Sequence, residues 1–287
     1  MTTGARIAAA VLAGLLLVPA SAGSAEDEGI DPAVTRRGDA YFHLMKAMFV
    51  ARKGQVGQAV REINEAVSLA PGSVDLKAEA GSLLMLMGQQ QQAERLVRQA
   101  LKDDPDHHRS LTILADILTG RILGGRSSAE GLSEAIEVYD RLTLMPDVDP
   151  EHFRLLTTLR LRAGDAEGAI QAARRYVNRH EGDAQAVRLL ANVLMHADRD
   201  EEAVDEVVRF LRETAGLDSA SDGFQDAVAM LDNLVRSRNV WQLFVHRAVP
   251  LLEARPQAAG LRALYGEALL RVGRPAEAGE QMEQAIA

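Results

Sequence analysis

Seven histidines are the side chains here with the readiest chemistry: His43, His107, His108, His152, His180, His196 and His246. A zinc site built on a helix needs two ligands a turn apart on one face. No two of these histidines stand four residues apart, and no HExxH occurs. His107 and His108 are adjacent and point to different sides of a helix start. His180-Glu181 comes nearest to a ligand pair, but Gly-Asp-Ala-Gln follows and no second histidine arrives. The histidines therefore read as solvent-facing or capping residues, with no metal and no cofactor implied. The chain has no cysteine, which removes disulfides, thiolate ligands, a cysteine nucleophile and a lipid-anchor cysteine together. The glycine-rich stretch from Gly120 to Gly125 lacks a following GK[ST], and there is no GxGxxG or nucleophile elbow. Asp and Glu alternate with Lys and Arg as on solvated helix faces. No enzyme is expected, and what remains is recognition.

Composition narrows the partner. The formal net charge of the 287 residues is −9, a poor start for nucleic-acid binding, which needs a basic face to displace counterions. Hydrophobic residues make up 47% and aromatics 4%, so alanine, leucine and valine must carry the core. Such residues suit close-packed helices better than sheets.

Residues 1–25 read as a targeting segment. Arg6 precedes the uncharged apolar run Ile7 to Val18, Pro19 breaks it, and Ala20-Ser21-Ala22 offers a small-x-small cleavage pattern. The run is shorter than the roughly 20 residues that span a bilayer as a helix. Export to a periplasm or beyond is expected, with an uncleaved inner-membrane anchor as the alternative and no stable membrane span after cleavage. Residues 26–39 read as a tether, with a short helix around Ala33 to Arg37.

From Ala40 the chain repeats. Gly54 and Gly88, Ala59 and Ala93, Ala66 and Ala100, Pro71 and Pro105 each lie 34 residues apart. A fixed period of this size marks a solenoid, whose units bury their apolar faces against one another. The units fall at 40–73, 74–107, 108–149, 150–183, 184–217, 225–258 and 259–287. The third carries about eight extra residues around Gly124 to Gly131. Its double glycine predicts a loop, tolerated or projecting toward a partner, with Ser127 and Glu130 as a capping box. The sixth unit is the weakest, since Ser237-Arg238-Asn239 has no glycine and Phe244 stands where other units have alanine. Large residues at Tyr176 and Phe210 predict looser helix spacing.

The pattern resembles the tetratricopeptide repeat, a helix-turn-helix unit of 34 residues. In that family small residues sit where paired helices touch. The eighth place is here Ala47, Gly81, Ala115, Thr157, Ala191, Asp232 and Gly266; the twentieth is Ala59, Ala93, Ala135, Ala169, Ala203, Phe244 and Ala278. The resemblance implies an all-α, right-handed α-solenoid of about seven such repeats, working as a non-catalytic scaffold or adaptor that binds a peptide or protein in its concave groove. It also implies which residues line that groove. In the early units these are Tyr41, Leu44, Met48, Ala78, Ser82 and Met85. Farther on they are Arg154, Thr158, Arg162, Arg188, Asn192, His196, Asn233 and Arg236. The binding residues expected are Arg154, Thr158, Arg162, Arg188, Asn192, Asn233 and Arg236, a basic and amide-bearing half-groove in an acidic chain. Arg188 and Asn192 resemble the Lys/Asn pair of the carboxylate-clamp members, but Asp226, Met230, Gly260 and Leu264 depart from the rest of that clamp. The expected partner is a protein or peptide of the cell envelope. The last unit, Gly-Glu-Gln-Met-Glu-Gln-Ala-Ile-Ala, makes a poor polar cap. This suggests either self-association through that end or a binding region of a longer chain that serves an enzyme or an export machine.

Overall fold

A computed structural model describes residues 31–213 and 222–286. Among these residues the chain is all helix: fourteen helices and no strand. The expected targeting segment, the start of the tether and most of the polar stretch before Gly223 lie outside the described residues. Two compact units divide at Ala70 and Pro71.

The first unit holds α1 (Pro32–Arg52) and α2 (Val56–Leu69). α1 starts at Pro32, eight residues before the expected start at Ala40, so the short helix expected around Ala33 to Arg37 runs unbroken into the first repeat helix. The cause is local. Asp31 accepts a hydrogen bond from the Ala33 backbone N–H at 2.8 Å, and Pro32 sits in the first turn, where no N–H is needed.

The second unit holds α3 (Val74–Leu86), α4 (Gln90–Asp103), α5 (His108–Leu123), α6 (Ala129–Leu144), α7 (Pro150–Arg162), α8 (Ala166–Arg179) and α9 (Ala184–His196). It continues with α10 (Asp200–Glu213), α11 (Asp222–Arg238), α12 (Trp241–Ala254), α13 (Ala259–Arg271) and α14 (Pro275–Ile286). Helices pair in sequence order, and the alanines at the expected tight contacts are fully buried, Ala93, Ala135, Ala169, Ala203 and Ala278 among them. Gly81 shows why the side chain must be small: a Cβ there would meet the Val97 Cγ1 at 2.7 Å.

The turns repeat as faithfully as the contacts. Gly54, Gly88, Gly164 and Gly273 take φ values of 73–81°. Each is followed by a residue whose N–H donates to the carbonyl five places back, closing the helix with a Schellman-type bond. Asp198 (φ 54°) and Asn239 (φ 56°) do the same work without being glycine, and Arg199 and Val240 make the same bond. The turn that lacks glycine is therefore a normal turn, because asparagine tolerates the left-handed region. Asn239→Gly is expected to leave stability within about 0.5 kcal/mol, whereas Asn239→Val should cost about 1–2 kcal/mol for the β-branched side chain. Denaturant unfolding of the two variants checks this.

The third unit differs from the expectation of a loop. α5 runs eight residues past Ala115, where α3 runs five past Gly81; α6 begins six residues before Ala135, where α4 begins three before Ala93. The connection is two residues longer than that between α3 and α4. Six of the eight extra residues are thus helix, and the hairpin is extended at its tip. Ser128, not Ser127, caps α6 by accepting from the Gly131 N–H at 3.3 Å, because its extended backbone brings its hydroxyl over the first turn.

The sixth pair also departs from its neighbours. α11 packs on α10 and α9, and α12 packs on α10 and α13, while α11 and α12 scarcely touch each other. Phe244, fully buried on α12, fills the space that alanine leaves closed elsewhere. Arg255 tucks in nearby: its Nε donates to the Leu211 carbonyl at 3.1 Å and its guanidinium lies 4.3 Å from the Phe224 ring centroid. Burial holds its basicity below the ordinary value.

Candidate functional site

Three of the expected groove residues converge. α7 and α9, the first helices of successive pairs, border a cleft of about 490 Å³ lined by Arg154, Arg188 and Asn192, with Glu151, Tyr176 and Gln185. Pro150 and Asp149 start α7 at its edge, the Asp149 carboxylate accepting from the Glu151 N–H at 2.9 Å. On the opposite side Asp183 has two tasks. One carboxylate oxygen caps α9 by accepting from the Gln185 N–H at 2.8 Å, and the other accepts the Tyr176 hydroxyl at 2.8 Å. That bond ties the end of α8 to the start of α9. Burial, then the bond to the Asp183 carboxylate, pushes the Tyr176 phenol up to about 12, so it stays protonated and donates.

The floor beneath is aromatic. Phe153 stacks on Tyr176 with ring centroids 5.2 Å apart and planes 4° from parallel. The His180 ring stands edge-on to both, 6.0 Å from Phe153 and 5.2 Å from Tyr176. Tyr176 therefore fills its space rather than loosening the helices there. Near Phe210 lies a separate cleft of about 560 Å³ bounded by Val177, Val187 and Phe210.

The other expected residues lie elsewhere. Thr158 is exposed on α7 with its hydroxyl donating to the Arg154 carbonyl at 2.9 Å, and Arg162 is exposed at the end of the same helix. Asn233 is exposed on α11, outside the lining of the nearest cleft. Arg236 belongs to that second cleft, about 310 Å³, with Asp232, Leu264 and Glu267. In the early units Leu44 and Ala78 are core residues, and Ser82 accepts from the Arg109 Nε at 3.2 Å. They do not line a free groove.

The expected positive field is also corrected. Arg154 pairs with Glu151 at 2.8 Å, Arg188 with Asp226 at 3.1 Å, and Arg236 with Asp232 at 2.6 Å and Glu267 at 2.7 Å. Two of these carboxylates stand three or four residues before their arginine on the same helix, a spacing readable in advance. The others come from the next first helix, and only folding reveals them. In both clefts the arginines are matched by carboxylates in exposed ion pairs. Sequence reasoning missed Tyr176, Gln185 and Glu151 as lining residues: Tyr176 lies on a second helix, and Glu151 and Gln185 stand at the starts of the first helices α7 and α9. Among the described residues no three His, Asp or Glu side chains converge as a metal site requires.

Family models described as tetratricopeptide repeat match residues 51–117 and 154–218. The chain is a tetratricopeptide repeat protein. Among solved structures, a chain of the Naa15/Naa10 complex bound to HypK-THB shares 14% identity and a TM-score of 0.50, over 84% of this chain and 35% of that one. MamA from Desulfovibrio magneticus RS-1 is similar at 16% identity and a TM-score of 0.43, over 66% of this chain and 98% of its own. Pseudomonas aeruginosa PilF gives 14% and 0.43, over 81% and 99%. No curated protein sequence matches the chain. As a tetratricopeptide repeat solenoid, the molecule has the architecture of a protein-interaction scaffold.

Proposed function

We propose that the scaffold binds an extended peptide segment of a cell-envelope protein in the cleft between α7 and α9. The observation that carries this reading is the convergence of Arg154, Arg188 and Asn192 with Tyr176 and Gln185 in one open cleft. Asn192 and Gln185 offer donors and acceptors to a peptide backbone, while Leu189 supplies apolar surface. The Arg188–Asp226 pair is exposed, with side chains 41% and 52% accessible, and such pairs contribute only about 0–1 kcal/mol. An acidic side chain of the ligand therefore displaces Asp226 at little cost and takes up the guanidinium fork. The envelope setting rests on the apolar run Ile7 to Val18 and the small residues that follow it.

The test is a binding screen of immobilised peptides against the full chain, followed by anisotropy titration of the best binder. In the Arg154→Glu/Arg188→Glu variant, peptides with an acidic residue should bind at least about tenfold more weakly, the loss of a charge-assisted contact of roughly 1.5–3 kcal/mol. Unchanged affinity would sink the reading.

A further inference from the structure

α1 has two apolar faces. Ala40, Leu44, Ala47 and Val50 are buried on one side. At 100° per residue, Val34, Phe42, Met45 and Phe49 fall within an arc of about 80° on the opposite side. All four are exposed, Phe42 by 58% and Phe49 by 60%. Two phenylalanines and a methionine held in solvent along about 10 Å of helix are not the scattered single residues normal for a surface.

The charges beside this stripe are mostly of one sign. From Pro32 to Lys53 the chain carries Arg36, Arg37, Lys46, Arg52 and Lys53 against Asp39 alone. The rest of the chain holds −13, more than the whole formal charge of −9. Arg37 lies to one side of the stripe, Lys46 and Lys53 to the other, and Arg52 at its C-terminal end. The Lys53 ammonium sits 4.2 Å from the Phe49 ring centroid. Lys46 is engaged by Glu62 at 2.7 Å, but among the described residues Arg37 and Arg52 have no ion-pair partner.

We propose that this face of α1 docks on an anionic bilayer surface, with Phe42, Met45 and Phe49 entering the headgroup boundary and Arg37, Arg52 and Lys53 meeting lipid phosphates. An exposed apolar stripe with cationic flanks is the chemistry of an interfacial helix. No helix among the described residues is long and apolar enough to cross a membrane, so α1 lies on the surface rather than spanning it. Charge complementarity selects this occupant. A second copy docking stripe to stripe would bring like cations together, whereas an anionic surface attracts the cations of α1.

Trp241 is the only tryptophan, so a reporter can be moved to the stripe. The full chain carrying Trp241→Phe and Phe49→Trp is mixed with vesicles of phosphatidylcholine alone, or with one-third phosphatidylglycerol, each with brominated acyl chains. The proposal expects a blue shift and quenching of the new tryptophan with the anionic vesicles, at least about tenfold weaker with neutral ones. Adding Arg37→Glu, Arg52→Glu and Lys53→Glu should abolish the quenching even when the chain still sediments with vesicles through its apolar run at Ile7 to Val18. Equal quenching in neutral lipid, quenching that survives the charge reversals, or no quenching at all would overturn it. So would a blue shift that grows with protein concentration in the absence of vesicles, which would assign the stripe to a second copy.

Discussion

Phe153→Ala is expected to lower the stability of the central repeats by about 3–5 kcal/mol, the usual cost of emptying a fully buried aromatic site. Phe153 has no solvent exposure and joins Val148, Tyr176 and Ala186 in a small cluster of its own. The stack that it makes with Tyr176 underlies the cleft between α7 and α9, so the variant should also weaken any ligand held there. In a linear array, loss at one unit is not shared evenly, because each unit is held by its neighbours alone. Far-UV circular dichroism should therefore show an early transition in denaturant that the fluorescence of Trp241, on α12, follows only later. Coincident transitions at the parent midpoint would contradict the assigned role of the aromatic floor.

Phe244→Ala carries a comparable expectation, again about 3–5 kcal/mol, but in another place and with a different signature. Alanine is the residue that the equivalent position holds in every other unit, so consensus alone would forecast a gain. The structure forecasts a loss. α11 and α12 are already apart, Phe244 occupies the gap, and its ring meets Tyr265 edge-on at a centroid distance of 6.4 Å. Restoring the consensus leaves a cavity unless both helices close by repacking against α10 and α13. Here Trp241 fluorescence should shift first, and circular dichroism should report only part of the loss at that point. A variant as stable as the parent would mean that the pair closes up after all.

These two phenylalanines show where the sequence was informative. The small residues at a fixed spacing announced helix pairs, because close backbone approach excludes a larger side chain whatever lies around it. Turn positions were equally plain wherever glycine marked them. Asn239 hid its turn because its type, unlike glycine, is common in many settings, and only its φ value betrays the function. The candidate site was legible in half. Its position on the first helices of the fourth and fifth units followed from the register, and Arg154, Arg188 and Asn192 do meet. Its charge did not follow, since Asp226 and Glu267 reach their arginines across helices at separations of 38 and 31 residues, neither equal to the repeat. Nor did the start of α1, where a single Asp-Pro cap extends the helix beyond the repeated pattern.

The lengthened hairpin of α5 and α6 has a last consequence. Three added residues per arm raise its tip by about 4.5 Å over helices of ordinary length, and Leu123 stands there 77% exposed. A run of identical units would let a long ligand slip by one repeat and bind equally well. For a ligand lying across it, a single taller tooth would remove that translational freedom and give the array a fixed origin from which positions along it could be measured.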